Sequence, residues 1–468
     1  MKKKVLASVL VAAMAAMTLV GCGAAETTDA PAADNNNDAP AVDTVDGGDD
    51  AVVAEEGKVL NIYTWNTEFI ERRQEFYPGY EVVENCVSGK IGDVDVKFTT
   101  VPSDGGAYQD NLDATLLGQA DAAADDKIDI FLVEADYALK YTGTDYTMAM
   151  ADLGLDDSVF ADQFQYTKDV VTANGQLKGA SWQGCPGALI YRADIAEAVL
   201  GTSDPAEVQN AVSDWDTFMA TAALMADQGY KMTASVNDSF RTYSNNVTSK
   251  WVEDGKLNID ANILKWIDDS KAMVDAGYTG TADLWGDEWA QGFYQDSNVF
   301  CYFGPAWFID FCMHCDEEGS VGANGGWRIT PGPQGFYWGG TWICAATGTD
   351  NAGLVADIIK TMTTDATVLE NILVGAHDFV NSQAVIAKYK DDETFGDDFL
   401  GGQNPYGIFA DGVSSVDLSN ISDYDQGCNE EIQKAMNDYF KGTYATVEEA
   451  LDAFKSAIAV KYPAVAVD

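Results

Sequence analysis

Histidine is nearly missing from this chain: His314 and His377 are the only two in 468 residues, and they lie far apart. Ser-His and Cys-His nucleophile pairs therefore have few candidates. No Gly-rich phosphate loop, HExxH helix or EF-hand loop is present, so no cofactor and no resident metal is expected. Basic residues are scarce as well, 27 Lys and Arg against 75 Asp and Glu, for a formal net charge of -48. A surface this acidic repels phosphate backbones and anionic headgroups alike, which excludes nucleic acid as a partner. The same charge serves solubility, or a cationic ligand. It also makes paired carboxylates easy to find, which keeps glycoside hydrolysis open as an enzyme alternative. No period of 20 to 50 residues repeats, so solenoids and propellers are excluded.

What is present begins with an address. Lys2, Lys3 and Lys4 precede an apolar stretch from Val5 to Val20, the order of a secretory signal and short for a membrane span, which needs about 20 apolar residues. Leu19, Val20, Gly21 and Cys22 then resemble the lipobox of bacterial lipoproteins. That resemblance implies cleavage after residue 21, a diacylglycerol on Cys22, and a body tethered to the outer face of the cytoplasmic membrane. From Gly23 to Glu56 the chain has neither Lys, Arg nor aromatic residues and carries many carboxylates. It buries too little to offset its ordering entropy, so 22–57 reads as an extended acidic spacer.

The remainder is too long for one core and is expected to hold two domains. Val59 to Thr64 reads as a first strand ending in Trp65, Asn66, Thr67 and Glu68. Val94 to Val101 reads as a second strand, and Tyr108 to Gln119 as a helix with Leu112, Leu116 and Leu117 at helical spacing. Ile128 to Val133 is a buried strand leading to Glu134 and Asp136. Alternating strands and helices predict a parallel sheet with ligand groups at strand ends. Leu177 to Arg192, LKGASWQGCPGALIYR, is broken by Gly179, Gly184, Pro186 and Gly187 and reads as a hinge crossing between lobes. Further on, Ser213 to Asp216 reads as a capping box, and Val299 to Phe303 as a strand breaking at Gly304 and Pro305. Trp338 to Trp342 precedes the strand Ile343 to Ala346 at a second crossing, and Lys388 to Asp398 forms a third.

The order of these features resembles the extracellular solute-binding proteins of carbohydrate ABC transporters, a group that includes maltose-binding protein. The carriers are the lipobox, GQLKGASW followed by PGALIYR, SDWDTF, GPAW, PGP followed by WGGTW, and a terminal TVEEAL helix. The resemblance implies an α/β, two-lobed periplasmic-binding-protein-like fold of type II, with residues 58–184 plus 343–390 in one lobe and 185–342 plus 391–468 in the other. It further implies a monomer that closes on a carbohydrate and delivers it to permease subunits without chemical change. Cys185 stands where maltose-binding protein has an acidic ligand contact, so the same ligand is not implied.

A sugar ring has an apolar C–H face and a hydroxyl rim, so its site needs aromatic plates and fully paired polar groups. The candidate plates are Trp65, Trp182, Trp307 and Trp338, each beside a loop-forming residue at a strand end; Trp215 and Trp266 fall on helix faces and read as core. Trp285 and Trp289 stand between the two classes. The candidate hydrogen-bonding groups are Glu68, Glu134, Asp136, Gln183, Asp238, Arg241 and Asp425, with Asp425 alternatively capping the helix after Tyr424. A polyamine receptor is the competing reading, because aromatic faces and carboxylates also hold ammonium groups. Cys312 and Cys315 have metal or redox spacing but lack a second ligand pair, leaving a local disulfide or two buried thiols.

Overall fold

The computed structural model describes residues 57–467. The signal, Cys22 and nearly all of the acidic spacer lie outside them. β1 (Val59–Thr64) alternates half-buried and buried residues, the period of a strand with one covered face, and matches its sequence-based bounds. β2 (Tyr80–Glu84) and β3 (Ser88–Ile91) form a hairpin absent from the sequence reading. Val82, Val83 and Glu84 of β2 are exposed, so no in–out alternation marks it. β4 (Val94–Thr100) follows, then the helix Ala107–Gly118 and the buried β5 (Ile130–Glu134).

The chain then passes to a second sheet built on β6 (Ala188–Arg192), whose five residues are all buried. β7 (Cys301–Gly304) and β8 (Trp327–Thr330) flank β6, both antiparallel to it. β9 (Thr341–Ala345) returns to the first sheet, where the strand order is β9-β5-β1-β4-β3-β2. β1 runs parallel to β4 and β5, but β9 is antiparallel to β5. The parallel sheet expected from strand–helix alternation is thus a mixed one. β9 arrives across the hinge from the other lobe and not by a helical crossover, so nothing obliges it to run parallel.

Helices complete each lobe. Glu68–Phe76, Ala352–Thr364 and Ala366–Ala376 pack together beside the first sheet. In the second lobe, Trp215–Asp227 is opened by a reciprocal cap between Asp214 and Thr217, one residue downstream of the box read from the sequence. The helices Ala261–Asp275, Asp425–Phe440 and Val447–Lys461 enclose a separate apolar cluster that includes Trp266, Ile432 and Phe454. No helix among the described residues is long and apolar enough to cross a membrane.

Three stretches of chain run side by side between the sheets, the third at Phe379 and Val380, ahead of the helix Gln383–Tyr389, and not at Lys388 to Asp398 as expected. Gln183 bridges Val380 and Pro186 bridges Tyr337, while the Gly184 and Gly187 amides donate to the Phe379 and Phe336 carbonyls at 2.7 and 2.8 Å. A Cβ on Gly187 would lie 2.1 Å from the Phe336 ring, so only glycine allows that approach. These crossings set how the lobes face each other. Leu132 is fully buried in β5 beside β9. Leu132→Ala is expected to cost about 2–5 kcal/mol, read as a lower urea midpoint at unchanged slope.

Candidate functional site

The strand ends β1, β5 and β9 and the loops of the second lobe enclose a cleft of about 540 Å³. This lies within the range of small-molecule sites, about 300–1,000 Å³. Its aromatic walls include Trp65 and Tyr137 from the first lobe and Trp285, Trp307 and Trp338 from the second lobe and the hinge. Trp65 is half-buried and set edge-on to Tyr108 and Tyr137, with centroids 5.6 and 6.1 Å away. Trp307 donates its indole N–H to the Trp338 carbonyl at 3.2 Å. Gly339, at φ +67°, permits that contact, because a Cβ there would sit 3.1 Å from the Trp307 ring.

Across the cleft from one lobe to the other runs a two-pronged ion pair. Arg241 Nη1 donates to Asp136 Oδ1 at 2.7 Å and Nη2 to Oδ2 at 2.6 Å, with both side chains largely shielded from water. Burial alone would lower the Arg241 pKa, but the Asp136 carboxylate raises it above its ordinary value. A second pair, Arg72 to Asp310 at 2.7 Å, joins the Glu68–Phe76 helix to the turn after the GPAW segment. Arg241 is the one Lys or Arg among the described lining residues, and Asp136 occupies it.

Of the other lining acids, Glu68 and Glu134 are held towards neutrality, while Glu430 is paired with Lys461 at 3.2 Å and accepts from Gln426 at 3.1 Å. Burial, followed by repulsion from Asp136, raises the Glu134 pKa; Glu134 Oε2 accepts the Asp136 amide at 2.8 Å. Burial and then Asp378 raise Glu68, which accepts a hydrogen bond from Gln183 Nε2 at 3.1 Å. Gln183 is pinned further by donating to Asp378 and accepting from the Thr341 amide, each at 3.0 Å.

Eight of the eleven residues named from the sequence line this cleft: Trp65, Glu68, Glu134, Asp136, Gln183, Arg241, Trp307 and Trp338. Three do not. Trp182 is fully buried in the hinge, its ring 5.5 Å from Phe69 and its N–H on Asp378 at 3.2 Å. Gln183 beside it reaches the cleft wall, while the indole fills the crossing. Asp238 is buried too, accepting from the Ser235 amide at 2.9 Å and the Trp289 indole at 2.7 Å. It thereby shapes the turn that presents Asn237 to the cleft. Asp425 accepts from the Ser422 amide and hydroxyl at 3.1 and 2.7 Å, bracing the start of its helix. It faces a small polar recess of about 30 Å³ behind the Arg241 pair instead of the cleft.

Several lining residues were missed. Gln426, Asn429, Glu430 and Gln433 come from one face of the Asp425–Phe440 helix. A polar stripe at helical spacing opposite Cys428 and Ile432 was a readable signal, but it equally describes a solvated face. Asn237 lines the cleft, and its Oδ1 is buried without a partner among the described residues. Cys312 lines the cleft and Cys315 is buried; both are free thiols, as are the other five described cysteines. No cluster of three metal-binding side chains occurs among the described residues.

A family model described as bacterial extracellular solute-binding protein matches residues 90–394. The chain belongs to this family. No curated protein matches this solute-binding protein. Solved structures similar to it include the ABC-transporter-associated binding protein of B. animalis subsp. lactis in complex with β-1,6-galactobiose. That match has 16% identity, covers 88% of this chain and 100% of that one, and has a TM-score of 0.67. A galacto-N-biose/lacto-N-biose I-binding protein of Bifidobacterium longum, bound to lacto-N-biose, is 14% identical, with 88% and 100% covered and a TM-score of 0.65. A maltose-bound protein of T. maritima is 15% identical, with 86% and 99% covered and a TM-score of 0.61. The fold of the solute-binding protein is thus the two-lobed α/β architecture implied by its motifs.

Two consequences are measurable. Arg241→Met strands a shielded Asp136 carboxylate and is expected to cost about 3–5 kcal/mol, whereas Arg241→Met with Asp136→Leu should recover most of it. Equal midpoints for the single and double variants in urea would contradict this. Burial pushes Asp238 up to about 7. Between its ordinary value and 7 the folded state keeps a proton that the unfolded chain has lost, so stability falls as pH rises through that window. The melting temperature is expected to drop from pH 5 to pH 8, less steeply in Asp238→Asn; parallel profiles would exclude Asp238 as a source.

Proposed function

We propose that this protein is the lipid-anchored, monomeric receptor of an ABC importer, closing on a sugar or oligosaccharide and handing it to permease subunits. Cys22 carries the anchor, and residues 22–57 hold the body off the membrane. Residues 58–184 plus 343–390 and 185–342 plus 391–468 act as the two halves. The observation that carries the ligand class is the pairing of an indole-rich cleft with charges that are already satisfied or suppressed. Indole and phenol rings offer faces for pyranose C–H groups. Asn66, Asn237 and Asn429 offer amides, and Glu68 and Glu134 offer carboxyls drawn towards their protonated form. Protonated carboxyls donate as well as accept, which suits a hydroxyl rim.

A polyamine would need ionised carboxylates without other partners. Asp136 has both oxygens on Arg241, and burial works against the charge on Glu68 and Glu134. The saccharides in the similar structures favour the same class. Nothing in this reading requires bond making or breaking.

Calorimetry against a saccharide panel and spermidine tests it. Binding of a neutral saccharide is expected, with Trp65→Ala and Trp307→Ala each weakening it about tenfold or more, the order of a lost aromatic contact. Tight spermidine binding with no saccharide heat, or turnover of a glycoside, would sink the proposal. Palmitate labelling that is lost in Cys22→Ala is expected for the anchor.

A further inference from the structure

Trp285 is out of place by ordinary folding criteria. It lies in the turn before the short helix Asp287–Ala290, and 57% of its surface is exposed. Its φ is +68°, a region that a bulky side chain enters at a cost of about 1–3 kcal/mol. Gly286 stands next to it and would take a left-handed position without that cost. The fold nevertheless holds the indole where it is. Its ring meets Trp289 at 5.2 Å, and Trp289 is itself anchored to Asp238.

The position becomes intelligible along the cleft wall. Trp307 and Trp338 have ring centroids 5.6 Å apart, and Trp338 and Trp285 are again 5.6 Å apart. Trp338 is 9% exposed and lies between the half-buried Trp307 and the exposed Trp285, so the chain of indole contacts along the wall ends at the surface on Trp285. One indole covers one face of one pyranose. A receptor for a single sugar has no use for a third ring in line, least of all one held in a strained backbone and left wet.

We propose that Trp285 is the platform for an outer sugar unit, and that the ligand is an oligosaccharide whose chain leaves the cleft across this ring. The proposal rests on the saccharide reading above and adds chain length to it. Trp285 then sets which lengths bind well, while Trp65 and Trp307 serve the inner unit.

The test is calorimetry of the full mature protein against gluco-, galacto- and xylo-oligosaccharide series from one to five units. In the wild type, affinity is expected to rise with length within the series that binds. Trp285→Ala should lose about tenfold in affinity for the longer members, about 1.4 kcal/mol, and leave the shortest binder unchanged. Trp285→Gly should show the same binding loss with a melting temperature no lower than that of Trp285→Ala, because the strain is relieved. Trp285→Phe should recover part of the length dependence. An unchanged length profile in Trp285→Ala, an equal loss for all lengths, or a monosaccharide bound as tightly as the longest member would overturn the role of Trp285 alone. If the wild type binds none of the three series, the saccharide reading falls and this inference falls with it.

Discussion

The ion pair between Asp136 and Arg241 ties the two halves of the molecule together at the place where a ligand would lie. Its two hydrogen bonds, 2.7 and 2.6 Å, satisfy a guanidinium and a carboxylate that are both shielded from water. A shielded pair of this kind is costly to break from one side, because the survivor keeps its charge without a partner. The rest of the cleft is conditioned by it. Asp136 fixes its neighbour Glu134 through the backbone amide and adds to the upward pKa shift that burial gives it, and Asn429 reaches Asp136 from the helix at the far wall. A chain with a large net negative charge thus presents a cleft in which Asp136 is paired with Arg241 and burial works against charge on Glu68 and Glu134.

The hinge supplies a second constraint of a different kind. Trp182, Asp378 and Gln183 form one buried hydrogen-bonded unit with Glu68, so the crossing stretches are coupled directly to a cleft-lining acid. A buried polar network is stable only when its members are paired, and here the Gln183 amide is engaged on both its oxygen and its nitrogen. The indole at 182 stiffens the joint. The indoles at 65, 307 and 338 line the space beside it.

Much of this was legible along the chain, for local reasons. β1 and β5 were visible because burial on one or both faces leaves a pattern that neighbouring residues share. The expected strand ends put Trp65, Glu134 and Asp136 at the cleft. The β2–β3 hairpin was invisible because its exposed residues have no alternation to show. Trp182, Asp238 and Asp425 looked like Trp65 or Asp136 in sequence, since nothing local distinguishes an indole or carboxylate turned into the protein from one turned out.

Composition, order of motifs and period therefore determined the class of molecule: an acidic two-lobed α/β binding protein with an aromatic cleft near predictable strand ends. Only the tertiary structure decided which tryptophans face the cleft, which carboxylates are paired, and that a helix near the C-terminus contributes Gln426, Asn429, Glu430 and Gln433 to it. The physical reason is range. Strand and helix signals are written over a few adjacent residues, whereas the Arg241–Asp136 contact joins side chains more than one hundred positions apart, and its partners are set by how two separately folded sheets meet.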